Sequence, residues 1–102
     1  MYVVIFRASL RPLTDETDYN TTATELRDLA LNHYGCLEFE ALNETNREVA
    51  LSYWPDLESI KRWRDDARHR EAQTRGREQW YSAYQIEVAK IERRYGATDL
   101  PG

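Results

Sequence analysis

Strand and helix patterns follow one another along these 102 residues in the order β-α-β-β-α-β. That order predicts an α+β domain, with helices covering one face of a four-stranded antiparallel sheet. Three observations carry the expectation. Tyr2–Ser9 is a run of β-branched and aromatic residues. Residues 17–33 repeat Tyr19, Ala23, Leu26, Ala30 and His33 at steps of four and three, which places them on one helical stripe. Between Cys36 and Trp54 two alternating runs flank Asn43-Glu-Thr-Asn46, a segment with hairpin-loop chemistry.

In the first strand Val3, Val4, Ile5 and Phe6 are consecutive, so both of its faces are expected to be buried. Arg11–Asp18, with Pro12, is read as a polar connection to the first helix, and Gly35 as that helix's stop. Cys36–Leu42 sets Leu37, Phe39 and Ala41 against Glu38 and Glu40, a strand with one wet face. Arg47–Trp54 returns, with Val49, Leu51 and Tyr53 on one side and Ala50, Ser52 and Trp54 on the other. Pro55 is placed to begin a helix, with Asp56 in its first turn. Leu57, Ile60 and Trp63 or Arg64 follow at helical spacing. A second helical piece covers Ala67–Arg75, and Gly76 is expected to break it. Tyr84–Tyr95 is read as the last strand, with a bulge or two-sided burial after Val88. Two β-α-β halves joined by a hairpin make the ferredoxin-like arrangement. One sheet face would stay open and largely apolar in a monomer, which predicts pairing with a second copy.

Length and composition agree with one domain over residues 1–96 and a loose tail over 97–102. Apolar residues make up 41% and charged residues 31%, which excludes a disordered chain. The net charge of −4 gives no overall basic field toward nucleic acid or anionic lipid. Residues 61–77 nevertheless carry seven basic and three acidic side chains, either an anion-attracting segment or the solvated face of a helix. No apolar run reaches membrane-spanning length, and MYVVIFRASL is too short and interrupted for a signal peptide. Cys36 stands alone, so neither an intrachain disulfide nor a thiol-rich metal site is possible, and a reducing cytoplasm fits.

The segment Ala50–Tyr81 concentrates all three tryptophans, His69 and seven of the fourteen basic residues. Ser52–Trp54, Trp63–His69 (WRDDARH), Ala72–Gln73, Gly76–Arg77, Trp80–Tyr81 and Glu92–Tyr95 (ERRY) resemble the antibiotic biosynthesis monooxygenase (ABM) family, in particular its small stand-alone bacterial members. The resemblance runs from Tyr2 to Tyr95. It implies a dimeric α/β barrel, in which two ferredoxin-like sheets pack face to face. Some members of that family oxidise polycyclic aromatic compounds without metal or cofactor, and others bind and degrade haem through a histidine on the second helical segment. His69 occupies a similar place. The first strand, however, holds Arg7 and Ala8 rather than an asparagine, and only five residues separate Trp63 from His69. Both departures argue against haem, so no cofactor is expected.

The chemical candidates follow from residue type. His69 titrates near neutrality and can act as a general base, or it is a helix-surface histidine bonded locally. Trp63, Tyr53 and Tyr81 can wall an aromatic pocket, while Trp54 and Trp80 read as core. Arg7, within an apolar strand, either pairs with a carboxylate or stabilises an anion in a cavity. His33 reads as a favourable charge at the C-terminal end of its helix. The two histidines share no short metal-ligand spacing, so no zinc site is expected. The leading expectation is a homodimeric, cofactor-independent monooxygenase acting on an aromatic small molecule. The alternatives are a non-catalytic small-molecule-binding or stress-related protein of the same fold and, third, a haem-binding protein.

Overall fold

In the computed structural model, which describes residues 1–12 and 16–97, the chain runs β1 (Tyr2–Leu10), α1 (Thr17–His33), β2 (Glu38–Glu44), β3 (Arg47–Trp54), α2 (Leu57–Asp65), α3 (Ala67–Arg75), a π-helical turn (Gly76–Trp80) and β4 (Tyr81–Lys90). The strands form one antiparallel sheet in the order β2-β3-β1-β4. This is the expected α+β, ferredoxin-like arrangement. Part of the expected connection after Pro12 and nearly all of the expected tail lie outside the described residues.

The register divides the sheet into two unlike faces. Residues paired directly across antiparallel strands share a face. Tyr2, Val4, Phe6 and Ala8 of β1 therefore stand with Trp54, Ser52, Ala50 and Glu48 of β3, with Phe39 and Ala41 of β2 and with Val88, Ile86 and Tyr84 of β4. This face meets the helices. Val4, Leu29, Ala30, Cys36, Trp54, Ile60 and Trp63 make the main core, with Tyr2, Leu26, Tyr34 and Phe39 packed against it. Trp54 is fully buried, and its indole N–H donates to Ser52 Oγ at 2.8 Å, so its polar atom is satisfied inside the core. Truncating it to alanine removes a large buried ring, a change that typically costs about 3–5 kcal/mol.

The other face carries Val3 and Ile5 beside Val49, Leu51 and Tyr53, all half-buried although no helix among the described residues covers them. Charged pairs flank this strip: Arg7 Nη1 to Glu87 at 2.6 Å on one side, Arg94 Nη2 to Glu38 at 2.9 Å on the other. The Arg94 guanidinium also lies over the Tyr53 ring, 4.9 Å from its centroid.

Local chemistry accounts for the boundaries, including those that differ from expectation. Gly35 has φ +80°, a left-handed conformation that turns the chain out of α1, and the next amide, of Cys36, donates back to the Ala30 carbonyl at 3.0 Å. The hairpin loop is tighter than expected. Asn43 and Glu44 pair with Glu48 and Arg47, which leaves a turn of Thr45 and Asn46, with Thr45 at φ 57°. Pro55 lies outside α2, because Asp56 caps that helix by accepting the Ser59 N–H at 2.8 Å. Asp66 caps α3 through the Arg68 N–H at 2.8 Å and accepts the Tyr34 hydroxyl at 2.7 Å. The neighbouring Arg68 guanidinium and these hydrogen bonds hold its carboxyl down at about 2.

Gly76 does not break the chain: its φ of −58° is helical, and the helix widens there into the π turn. That turn brings the chain to β1 early, so β4 begins at Tyr81 rather than Tyr84. It ends at Lys90, not Tyr95, because β1 has run out: the Ile91 N–H already donates to the Met1 carbonyl. The irregularity lies at Ser9/Leu10 opposite Tyr81–Ala83, not after Val88. Among the described residues no helix is long and apolar enough to cross a membrane.

Candidate functional site

Between the helix-facing side of the sheet and the helices lies a cavity of about 420 Å³. Its floor is apolar: Val4 and Phe6 from β1, Ala50 from β3, Ile86 and Val88 from β4. Leu26 of α1, Ile60 and Trp63 of α2 and Ala72 of α3 roof it. Tyr84, Ile86 and Val88 line it and remain 40–47% exposed on the edge strand, so the cavity opens along β4. A few hundred cubic ångströms lined by aromatic and aliphatic side chains suits a small apolar molecule.

Polar groups converge at two places. In the first, His69 of α3 packs edge-on against Trp63, ring centroids 4.3 Å apart and planes at 72°. Trp63 in turn lies 5.2 Å from Trp54 and 6.3 Å from Phe39, and its indole N–H is spent on the Leu26 carbonyl at 3.2 Å. Burial pushes the His69 imidazole down to about 4; Asp66 opposes that shift and Arg64 adds to it. The ring is therefore neutral at neutral pH. Its Nδ1 is buried with no hydrogen-bond partner in the protein.

The second place holds Tyr19 from the first turn of α1, Glu48 from the start of β3 and Tyr81 from the start of β4. Tyr19 and Glu48 are 4% and 7% exposed, and all three line the cavity. Burial, with Glu48 beside them, raises both phenols, so they stay protonated. Burial likewise raises the Glu48 carboxyl, against the lowering effect of the Tyr19 hydroxyl. That hydroxyl has no well-formed hydrogen bond, although Glu48 and Tyr81 are its neighbours. Rings surround the cluster: Tyr19 meets Trp80 edge-on at 5.3 Å, and Phe6 meets Tyr81 at 5.4 Å.

The π turn sets the Tyr81 ring. A Cβ at Gly76 would stand 2.6 Å from a carbon of that ring, closer than two carbons can approach. Gly76→Ala is therefore expected to push Tyr81 aside at a cost of about 1–3 kcal/mol, the usual range for overpacking. A fall in melting temperature together with altered tyrosine absorbance would show it. An unchanged melting temperature would mean that the ring moves freely.

The sequence model of antibiotic biosynthesis monooxygenases matches residues 1–75, about three-quarters of the chain. The chain belongs to this family. The ABM relatives in sequence include the uncharacterised protein YqjZ of Bacillus subtilis, 36% identical over 94 residues, covering 91% of this chain and 81% of that one. A jasmonate monooxygenase of Pyricularia oryzae is 33% identical over 94 residues; the match covers 89% of this chain but 43% of that longer protein. The fold is shared with SnoaB, a cofactor-independent oxygenase from Streptomyces nogalater, at TM-score 0.74 and 11% identity over 91% of this chain and 94% of that one. It is shared also with Rv0793 from Mycobacterium tuberculosis, at TM-score 0.78 and 11% identity over 93% and 98%.

Within this ABM chain Trp63, Tyr81 and His69 meet around the cavity, as their grouping in the sequence suggests. Arg7 and Tyr53 do not. Both lie on the helix-free face, Arg7 paired with Glu87 and Tyr53 beneath Arg94, so neither can touch a ligand in the cavity. Trp80 lines the cavity as well as filling the core. Tyr19 and Glu48 are additions. Glu48 has the same parity in β3 as Ala50, Ser52 and Trp54, and Tyr19 lies on the α1 stripe, so both inward directions were encoded in spacing. His33 is exposed on α1, away from the cavity. Among the described residues no group of three or more histidine, cysteine and carboxylate side chains is placed to hold a metal ion. Cys36 is buried, and burial raises its thiol, which leaves it unreactive.

Proposed function

We propose that this ABM-family chain, a single domain over residues 1–96 acting as a homodimer in a reducing cytoplasm, is a cofactor-independent monooxygenase of a hydroxylated aromatic small molecule. The observation that carries the reading is the apolar cavity with His69 Nδ1 buried at its wall and unpartnered. SnoaB, of the same fold, is a cofactor-independent oxygenase, which supports a reaction needing neither metal nor organic cofactor.

Removing a proton from the substrate leaves an electron-rich anion. That anion passes an electron to dioxygen, and the two radicals combine to a peroxide. The ring C–H proton is lost as the peroxide's O–O bond breaks and a carbonyl forms; one oxygen atom stays in the substrate, and the other leaves as water with that proton and the one the base returns. The protein's part is to exclude water, hold the ring and accept the proton. His69 is the proposed acceptor. Trp63 and Tyr81 hold the ring from two sides.

A second reading has its own support. A base at about 4 is weak, and the same cavity would serve a protein that binds its ligand without turning it over. Oxygen uptake with a panel of polycyclic phenols and quinone precursors separates the two. Substrate-dependent uptake is expected. Saturable quenching of tryptophan fluorescence with no uptake by any phenol would establish the binding protein instead. A Soret band on adding haemin would favour haem binding over both.

A further inference from the structure

Glu48 breaks a rule of its position. It stands in the interior of the sheet, on the helix-facing side, 7% exposed, and no cation pairs with it among the described residues. A buried carboxylate without a counter-charge is costly, and an apolar residue would be the stable choice there. A purely structural role would require a well-made hydrogen bond from its neighbour. Yet the Tyr19 hydroxyl, 4% exposed, lies close enough to Glu48 to lower its carboxyl without making a well-formed hydrogen bond to it, and both side chains face the cavity. Sites that keep an unfavourable local choice are where function is expected.

We infer that Tyr19, Glu48 and Tyr81 form a selective polar end of the cavity, which takes a neutral hydroxyl-bearing group of the ligand and rejects a carboxylate. Two protonated phenols supply donors, and the Glu48 carboxyl supplies acceptor oxygens. A hydroxyl completes such a set, because it both donates and accepts. An anionic ligand group would enter a buried site that holds a carboxyl group and, among the described residues, no cation. Along β3, Glu48 and Ser52 lie four residues apart, about 13 Å of strand. The Trp63–His69 pair packs toward the Ser52 end, over Phe39, which is paired with Ser52. A two- or three-ring aromatic could therefore meet Glu48 with one edge and His69 with the other. Glu48 is thus a specificity-determining residue of the proposed site. This inference rests on the aromatic-cavity reading and deepens it.

The test compares 2-naphthol with 2-naphthoate, near neutral pH, by tryptophan fluorescence and calorimetry on the full chain. The wild type is expected to bind the naphthol at least about tenfold more tightly, as loss of a hydrogen bond to a charged group implies. Glu48→Gln keeps the size and removes the ionisable carboxyl. It should close most of that gap while raising the melting temperature or leaving it unchanged. Tyr19→Phe should weaken naphthol several-fold and leave naphthoate alone, and it carries the test if Glu48→Gln fails to fold. If naphthol binds and both variants keep the wild-type preference, or the wild type prefers naphthoate, the inference falls and the aromatic cavity stands. If the wild type binds neither probe, the cavity reading falls with it.

Discussion

His69→Phe is expected to lose most turnover, on the order of 10²–10⁴-fold, the usual contribution of a positioned proton acceptor. Phenylalanine keeps the edge-on ring against Trp63 and removes the unpartnered Nδ1, so the fold and the cavity wall survive. Ligand affinity should stay within a few-fold. The pH dependence gives an independent check. Because His69 is held at about 4, the free enzyme keeps its base unprotonated well below the ordinary histidine range. The value of kcat/KM should therefore stay level as pH falls through 6.5 and decline only near 4.

The same lowered pKa links folding to pH. The unfolded chain takes up a proton at this histidine near pH 6.5 and the folded chain only near 4, so stability falls as pH drops between those values. The full effect is at most about 3 kcal/mol for a shift of this size. His69→Phe should flatten that part of the melting-temperature profile. Glu48 acts in the opposite sense, since its raised carboxyl loses stability as pH climbs through its own titration. Equal oxygen consumption by variant and wild type would remove His69 from the mechanism. An equally steep acid profile in both would show that the imidazole is not buried as described.

How much of this site could be read from residues alone depended on the element that carried each one. Trp63 and His69 lie on short helices; spacing leaves the inward position open between Trp63 and Arg64 and leaves His69 either way, and packing brings Trp63 and His69 together. The β-strands are harder, because one residue of parity decides the face. In β1 four apolar residues in a row hide the parity, so Arg7 could be assigned to either side. Pairing settles it: Arg7 lies opposite Val49, on the face shared with Leu51 and Tyr53. Alternation puts Tyr53 with Val49 and Leu51, but it does not say which face carries the helices. The polar members of β3 point to the answer only once its partners are known. Ser52 and Glu48 are buried because helices cover them. The boundaries of β4 depend on a tertiary fact, the length of β1, and the close approach of the Tyr81 ring to Gly76 is likewise tertiary. Neither leaves a local sequence signal.

The helix-free face motivates the last prediction. Val3, Ile5, Val49, Leu51 and Tyr53 form an apolar strip across the two central strands, and no helix or strand among the described residues covers it. The Arg7–Glu87 pair lies at one end of the strip, and Arg94, paired with Glu38, lies over the Tyr53 ring at the other. A second copy placed sheet to sheet would bury the strip and leave the Arg7–Glu87 and Arg94–Glu38 pairs at the edge, where exposed charges cost little. Light scattering at micromolar concentration should then give about twice the chain mass of 12.1 kDa. Ile5 is the sensitive position, because it projects from the middle of the strip, while its neighbour Val4 points into the core and is 8% exposed. Ile5→Glu buries an uncompensated charge in the dimer, at a cost of several kcal/mol, yet leaves the helix-side core intact. It should yield folded monomers, or a melting temperature that rises steeply with protein concentration. Val4→Glu should instead lose the fold itself. A wild type that stays monomeric and well folded at these concentrations would defeat the sheet-to-sheet dimer, since Ile5 would then be an ordinary surface residue and its substitution nearly neutral.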